Sequence, residues 1–298
     1  MIDTEALRKK VIDLAIQGKL TEQLPSDGDA ETLYAQIQLE KKKIIDSGVL
    51  KNRKKGEILT VDGSIVPFEI PNNWKWIRHG NVSEIFGRIG FRGYTKNDIV
   101  SPHTGAITIS PSNILNNGRT DFEVCTYLSW EKYNESPEIM IENDDVLVVK
   151  TGSSYGKSGI VKNLPEKATI NPQIAVLKYV LCDSEYINYM LNSSFSRSQF
   201  EEFVVGAAIP TFSQEKLSSL LMPLPPLAEQ KRIVNRIEEV FGQIEIINDL
   251  QAKYRNDLAV LKSKIIDAGI QGKLTEQLPE DGDAETLYAQ IQEEKSNI

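Results

Sequence analysis

The chain has 298 residues, 40% of them hydrophobic and 26% charged, so it can bury one substantial core and still carry extended helical parts. Its formal net charge of −8 argues against a nonspecific polyanion binder, and no run approaches the eighteen consecutive apolar residues of a membrane-spanning helix. Cys125 and Cys182 are the only cysteines and stand far apart, which leaves neither a disulfide framework nor a zinc site.

The acid is unevenly placed: residues 51–227 hold 18 Lys+Arg against 19 Asp+Glu, so a local basic face on the middle of the chain is compatible with the total. The opening Met1-Ile2-Asp3-Thr4-Glu5 lacks a basic-then-apolar signal pattern, and a cytoplasmic location is expected. Thr4 is placed to cap a first helix, with Leu7, Val11 and Leu14 at helical spacing and Gly18 as its stop. After a turn through Leu24-Pro25-Ser26-Asp27-Gly28, Asp29 can cap a second helix bearing Leu33, Ile37 and Ile44 on one face and Lys41-Lys42-Lys43 in solvent.

From Lys51 the character changes. Arg53-Lys54-Lys55-Gly56 reads as a basic linker, and Val66 to Trp76 as a proline-punctuated entry into a new domain with Trp74 and Trp76 as anchors. Short β-branched segments follow at Asn81–Ile85, Ala106–Ser110, Asp145–Lys150, Gly159–Val161 and Gln173–Tyr179, separated by Gly, Pro, Asn and Asp. Asp183–Asn192 and Ser194–Val205 read as helices with inward aromatics. The middle domain is therefore expected to be α+β with a strongly bent sheet. Pro223-Leu224-Pro225-Pro226 reads as a stiff hinge into the next element.

That element, Leu227 to Ala268, is an uninterrupted heptad series. Ile237, Ile244, Leu258 and Ile265 share one seam position; Ile233, Val240, Ile247, Tyr254, Leu261 and Ala268 share the other, with Gln251 the polar member near the middle. A seam kept for five heptads marks a coiled coil, here a rod of about 60 Å. Beyond it the chain repeats its own opening. Ile16 to Pro25 is identical to Ile270 to Pro279, and Asp27 to Gln38 to Asp281 to Gln292, at a constant offset of 254. The expected domains are a helical segment at 1–50, a globular domain at 51–226, the long helix at 227–268 and a second helical repeat at 269–298.

No catalytic constellation is legible. His79 and His103 lie in no metal-ligand or triad pattern, and no phosphate-binding loop or cofactor pocket is visible. Lys150-Thr151-Gly152-Ser153-Ser154-Tyr155-Gly156-Lys157-Ser158-Gly159 has its glycines at the wrong intervals for a P-loop. It does suit close approach to DNA, with Lys150 and Lys157 for charge and Thr151, Ser153, Ser154 and Tyr155 as donors to phosphate. The bland alternative is a glycine-rich hairpin whose polar residues serve the turn. A second candidate surface is Gly87 to Tyr94, where Arg88, Arg92 and Tyr94 alternate with glycine. A third is Ser110-Pro111-Ser112-Asn113 with Asn117-Gly118-Arg119, of which Ser110, Asn113 and Arg119 are the candidates. Each is equally readable as a solvated loop.

Taken together these stretches resemble the DNA-specificity subunit of type I restriction–modification enzymes. The resemblance is carried by Ile70-Pro71-Asn72-Asn73-Trp74, Asp144 to Ser153, Gly206-Ala207-Ala208-Ile209-Pro210-Thr211 and, most specifically, Pro223-Leu224-Pro225-Pro226-Leu227-Ala228-Glu229-Gln230-Lys231-Arg232-Ile233. It implies a target-recognition domain that reads half of a split double-stranded DNA site, without catalysis or a cofactor of its own. It also implies methyltransferase subunits that modify adenine and motor-nuclease subunits that cleave unmodified DNA as partners. The usual family member has two recognition domains, and this chain has one. It is similar to a half-length form, in which two copies are expected to pair antiparallel through the long helix and to read an inverted repeat. Such a rod can bridge half-sites one DNA turn, about 34 Å, apart. The rival of another class is a coiled-coil protein adaptor that never touches DNA; a free-standing hydrolase or transferase lacks any partnered base or ligand.

Overall fold

The computed structural model describes residues 1–48, 59–61, 66–88, 93–204 and 208–297. Two compact units are distinguished, Glu5–Gly242 and Met1–Thr4 with Gln243–Ile298, and each is described by itself.

The larger unit opens with two helices, α1 (Thr4–Ile16) and α2 (Ala30–Asp46). Asp29 caps α2 by accepting from the Thr32 amide at 2.8 Å, as its place before the periodic run requires. Expected as a segment of their own, these helices pack with the middle domain. Tyr34 accepts from Asn81 Nδ2 at 3.0 Å, and Gln38 Nε2 donates to the Asn81 carbonyl at 3.1 Å. Lys41, expected in solvent, is 17% exposed and pairs with the buried Glu84 at 2.9 Å. A carboxylate inside a sheet needs such a partner, and a long lysine stem on the facing helix supplies it.

Ten strands follow. β1 (Lys75–Arg78) pairs antiparallel with β10 (Leu221–Leu224) in a ribbon. One four-stranded sheet has the order β2 (Glu84–Gly87), β9 (Ile174–Lys178), β6 (Val146–Val149), β7 (Ser158–Ile160), all antiparallel. The other has the order β3 (Ile99–Val100), β5 (Thr126–Leu128), β4 (Ala106–Ile109), β8 (Ala168–Ile170), with β4 and β8 parallel. The fold is α+β, but the bent sheet resolves into two sheets sharing one apolar cluster that includes Ile107, Ile109, Leu147, Val149, Ile170 and Val176. Val146–Val149 is buried at every position, which explains its unbroken apolar run instead of an alternation.

Helices α3 (Trp130–Asn134), α4 (Ser184–Leu191), α5 (Ser194–Val204) and α6 (Gln214–Ser219) surround the sheets. Pro223, expected in a hinge, is paired in β10 opposite Trp76. Only the two prolines after Leu224 lead into α7 (Leu227–Ile270). Trp74 is buried and its Nε1 donates to Glu229 Oε2 at 2.8 Å, whereas Trp76 stays half-buried, edge-on to Phe68 and Phe195.

The division between the units falls within α7. Ile233 and Ile237 are fully buried on the larger unit's side; further along, Ile244 is buried as well. In the smaller unit Gln251 holds the backbone of Ile2 from both sides, accepting from its N–H at 2.6 Å and donating to its carbonyl at 3.2 Å. Tyr254, Leu258, Leu261 and Ile265 are exposed. The repeat that follows forms α8 (Ala284–Ser296) with no buried residue. Among the described residues no helix is long and apolar enough to cross a membrane.

His79 is fully buried between Met222 sulfur and Ser83 Oγ, and desolvation, with Lys41 nearby, lowers its pKa to about 3. The neutral ring is thus built into the fold. Its contribution is complete above the unfolded value near 6.5 and is lost as pH falls from there toward 3, at about 1.4 kcal/mol per unit crossed. A series of urea titrations between pH 7 and 4 is expected to show this decline, and His79→Gln to flatten it.

Candidate nucleic-acid interface

The sheet order β2–β9–β6 decides where the loops go. Gly87 lies opposite Ala175 and Val149 opposite Ile174, so the loop after β2, the loop after β6 and the turn entering β9 emerge at one end of the sheet. The second sheet delivers its own loop there, because β4 and β8 run parallel and the Asn171 amide donates to the Ile109 carbonyl at 2.9 Å. Ser110, Asn171 and Gln173, Lys150 and Thr151, and Tyr94 are thereby gathered from four loops. Direct bonds hold them: Asn171 Nδ2 donates to Tyr94 Oη at 3.0 Å, and the Lys150 amide to the Gln173 carbonyl at 2.8 Å.

Lys150 to Lys157 is a hairpin between β6 and β7. Its tip is closed by Tyr155 N–H to the Gly152 carbonyl (3.1 Å), Gly156 N–H to Val149 (2.7 Å) and Lys157 N–H to Ser154 (3.2 Å). Gly156 has φ +80°, and a Cβ there would lie 2.7 Å from the Phe200 ring. Only glycine meets both conditions. Gly156→Ala is expected to destabilise the protein by about 2 kcal/mol through positive φ and ring displacement; thermal denaturation alongside Gly28→Ala, which meets no neighbour within 4 Å, isolates the packing part.

The hairpin is braced at its outer flank. Thr151 and Thr211 share a hydroxyl contact of 2.8 Å, and the Gly152 amide donates to the Pro210 carbonyl at 3.0 Å. Arg197 on α5 stacks over Tyr155, 4.2 Å from the ring centroid, and its Nη1 donates to the Tyr155 carbonyl at 2.8 Å. Ser154, Tyr155, Lys157, Arg197 and Asn192 line an open cleft of about 500 Å³. Among the described residues neither Lys150 nor Lys157 has an acidic partner, and partial burial lowers the pKa of both. A desolvated ammonium without a counterion favours an arriving anion. Ser153 is exposed at the tip.

Other sequence candidates are held elsewhere. Arg88 is 4% exposed, and its guanidinium donates to the Ile170 carbonyl (3.1 Å) and Thr169 Oγ1 (3.0 Å) while facing the Tyr94 ring at 5.8 Å. It anchors the loop that carries Tyr94. Asn113 is buried, accepts from the Ser110 amide and donates to the carbonyls of Asp121 and Val124. Arg119 forms a two-pronged pair with Glu185 (2.6 and 2.8 Å) and reaches Glu238 at 3.0 Å. Arg92 lies outside the described residues. Arg197 is not among the sequence candidates, its only local signal being a helix-surface arginine, and Thr211 enters there only as the end of the Gly206 to Thr211 stretch that carries the resemblance. Among the described residues no group of three or more His, Cys, Asp or Glu is arranged to hold a metal ion.

Two four-stranded sheets gather polar loops at one end, and a 44-residue helix follows them in the chain. Residues 71–254 match the family described as type I restriction modification DNA specificity domain, and the chain belongs to that family. It is 26% identical over 256 residues to the type I restriction enzyme EcoEI specificity subunit of Escherichia coli, covering 80% of this chain and 40% of that protein. The MjaVIII specificity subunit of Methanocaldococcus jannaschii is 23% identical over 240 residues, covering 78% of this chain and 52% of that protein. This chain therefore spans about half or less of the length of these relatives. A solved structure described as showing complex assembly and conformational transition of the type I R-M system shares the fold, with a TM-score of 0.55 and 18% identity over 91% of this chain and 58% of that one.

Proposed function

We propose that this chain is a non-catalytic DNA-reading subunit of a type I restriction–modification complex, with the loops at the shared sheet end as its DNA face. The observation that carries this is the convergence of four polar loops around Lys150 and Lys157, two cations without acidic partners among the described residues. The hairpin tip supplies backbone N–H groups, hydroxyls and charge to phosphates, which sets the register of the module on the duplex. Tyr94, Ser110, Asn171 and Gln173 lie beside it as candidate readers of base edges, with Arg88 and Asn113 holding their loops in shape. Arg119, tied to two carboxylates, stiffens the body instead of reaching DNA.

The partners in this reading are methyltransferase subunits that modify adenine and motor-nuclease subunits that cleave. The recognition module itself performs no chemistry and needs no cofactor. Two copies pair antiparallel through α7, where Tyr254, Leu258, Leu261 and Ile265 leave an apolar stripe exposed. A two-fold reader demands an inverted repeat with an unspecified spacer.

Binding of the complex with methyltransferase subunits to duplex DNA, followed as a function of salt, tests the reading. A log–log fall in affinity with a slope of several units is expected. Salt-independent or absent binding would instead leave the chain as a coiled-coil protein adaptor.

A further inference from the structure

The tail of the chain is a second copy of a segment that already has a seat. Residues 16–41 dock on the recognition module through a defined set of contacts. Thr21 Oγ1 and Gln23 Nε2 donate to Glu229 Oε1 at 3.1 and 3.0 Å; Arg232 binds Asp27 and the Glu22 carbonyl; Lys75 pairs with Glu31 at 2.6 Å. Ala30, Ile37 and Ile16 are buried beneath them.

Every one of these side chains recurs 254 positions later, as Thr275, Gln277, Asp281, Glu285, Ala284, Ile291 and Ile270, and Lys41 recurs as Lys295. The two copies are also folded alike. Gly18 and Gly272 have φ +68° and +65°, Gly28 and Gly282 have +76° and +75°, and Asp29 and Asp283 each accept from the threonine amide three residues on at 2.8 Å. Yet the second copy is exposed throughout: Ile270 is 81% exposed where Ile16 is 1%. A segment that holds its docked shape without a seat has little ordering entropy left to lose on binding.

We propose that the tail of one copy occupies, on a second copy, the seat held here by residues 16–41, displacing that copy's own N-terminal segment. The last turns of α7 move with it, since Lys264-Ile265-Ile266-Asp267 matches Lys10-Val11-Ile12-Asp13 of α1. Leu261 and Leu258, exposed at the positions that match Leu7 and Thr4 of α1, and Tyr254 one turn before them are covered in the same step. The seat is thus a socket for which head and tail compete, and pairing of copies decides which is seated. This needs a second copy, as the reading above does, but no DNA.

Zero-length carbodiimide cross-linking of the full chain, without DNA, tests it. Lys75 can join Glu31 of its own segment or Glu285 of a tail, and tryptic peptides tell them apart because Ser26 and Leu39 are replaced by Glu280 and Glu293. In an equimolar mixture of light and nitrogen-15-labelled protein, Lys75–Glu285 links are expected, with mixed and unmixed labels in equal share. Asp281→Arg should lose these links and retain Lys75–Glu31; adding Arg232→Asp should restore Lys75–Glu285 at the expense of Lys75–Glu31. Finding only Lys75–Glu31 at every protein concentration, or Lys75–Glu285 links with no mixed labels, would overturn the proposal.

Discussion

Replacing Lys150 and Lys157 together by glutamine is expected to weaken DNA binding of the assembled complex by roughly 100-fold at about 0.1 M salt, about tenfold per lost phosphate contact. The same change should lower the slope of log affinity against log salt by about 2, and by similar amounts on specific and unrelated sequences. Both lysines are partly buried with no acidic partner among the described residues, so neutralising them removes a desolvation cost from the fold. The variant should therefore be at least as stable as its parent while binding worse. Asn171→Ala, at the turn between β8 and β9, should act differently, with loss confined to the specific site and the salt slope unchanged.

Glu229→Ala should have the largest effect on stability. Glu229 is fully buried at the start of α7, and its two oxygens accept from Trp74 Nε1, Thr21 Oγ1 and Gln23 Nε2. One side chain thereby joins the domain entry, the N-terminal segment and the spacer helix. Truncation strands a buried indole N–H and two further donors, at about 1–3 kcal/mol for each group that water does not reach. We expect a loss of about 3 kcal/mol in urea denaturation, seen as a lower midpoint at unchanged slope. Glu239→Ala, exposed and paired with Arg236 in the same helix, should change stability by less than about 0.5 kcal/mol.

The long helix was legible because a heptad seam is a one-dimensional signal, and its periodic residues fall within the helix from Leu227 to Ile270. Strand β10 was not legible, because two prolines in Pro223-Leu224-Pro225 disguise it. In a two-stranded ribbon the missing N–H of Pro223 can face away from the partner, so the strand tolerates it. The N-cap at Asp29 could be placed from local chemistry alone, but the role of Lys41 could not, since its partner Glu84 lies 43 positions away.

The same distinction divides the candidate site. The hairpin from Lys150 to Lys157 announces itself by glycine and hydroxyl content, and it is the hairpin that the bland reading also described. What the sequence withheld is strand order. Only with β9 between β2 and β6 do Tyr94, Lys150 and Gln173 become neighbours. The Gly-Arg-Ile-Gly pattern likewise gives no hint that Arg88 points inward to Thr169 and Ile170. Arg197 was overlooked because its value lies in stacking on Tyr155, 42 residues upstream.

Mapping methylated adenines in DNA from cells expressing this chain with the methyltransferase subunits proposed as its partners tests the central claim most directly. The account predicts a single inverted-repeat motif with a fixed unspecified spacer, lost in the Lys150→Gln, Lys157→Gln double variant and unchanged in Glu239→Ala. Methylation that is absent, or that falls on a motif indifferent to the double variant, would contradict it.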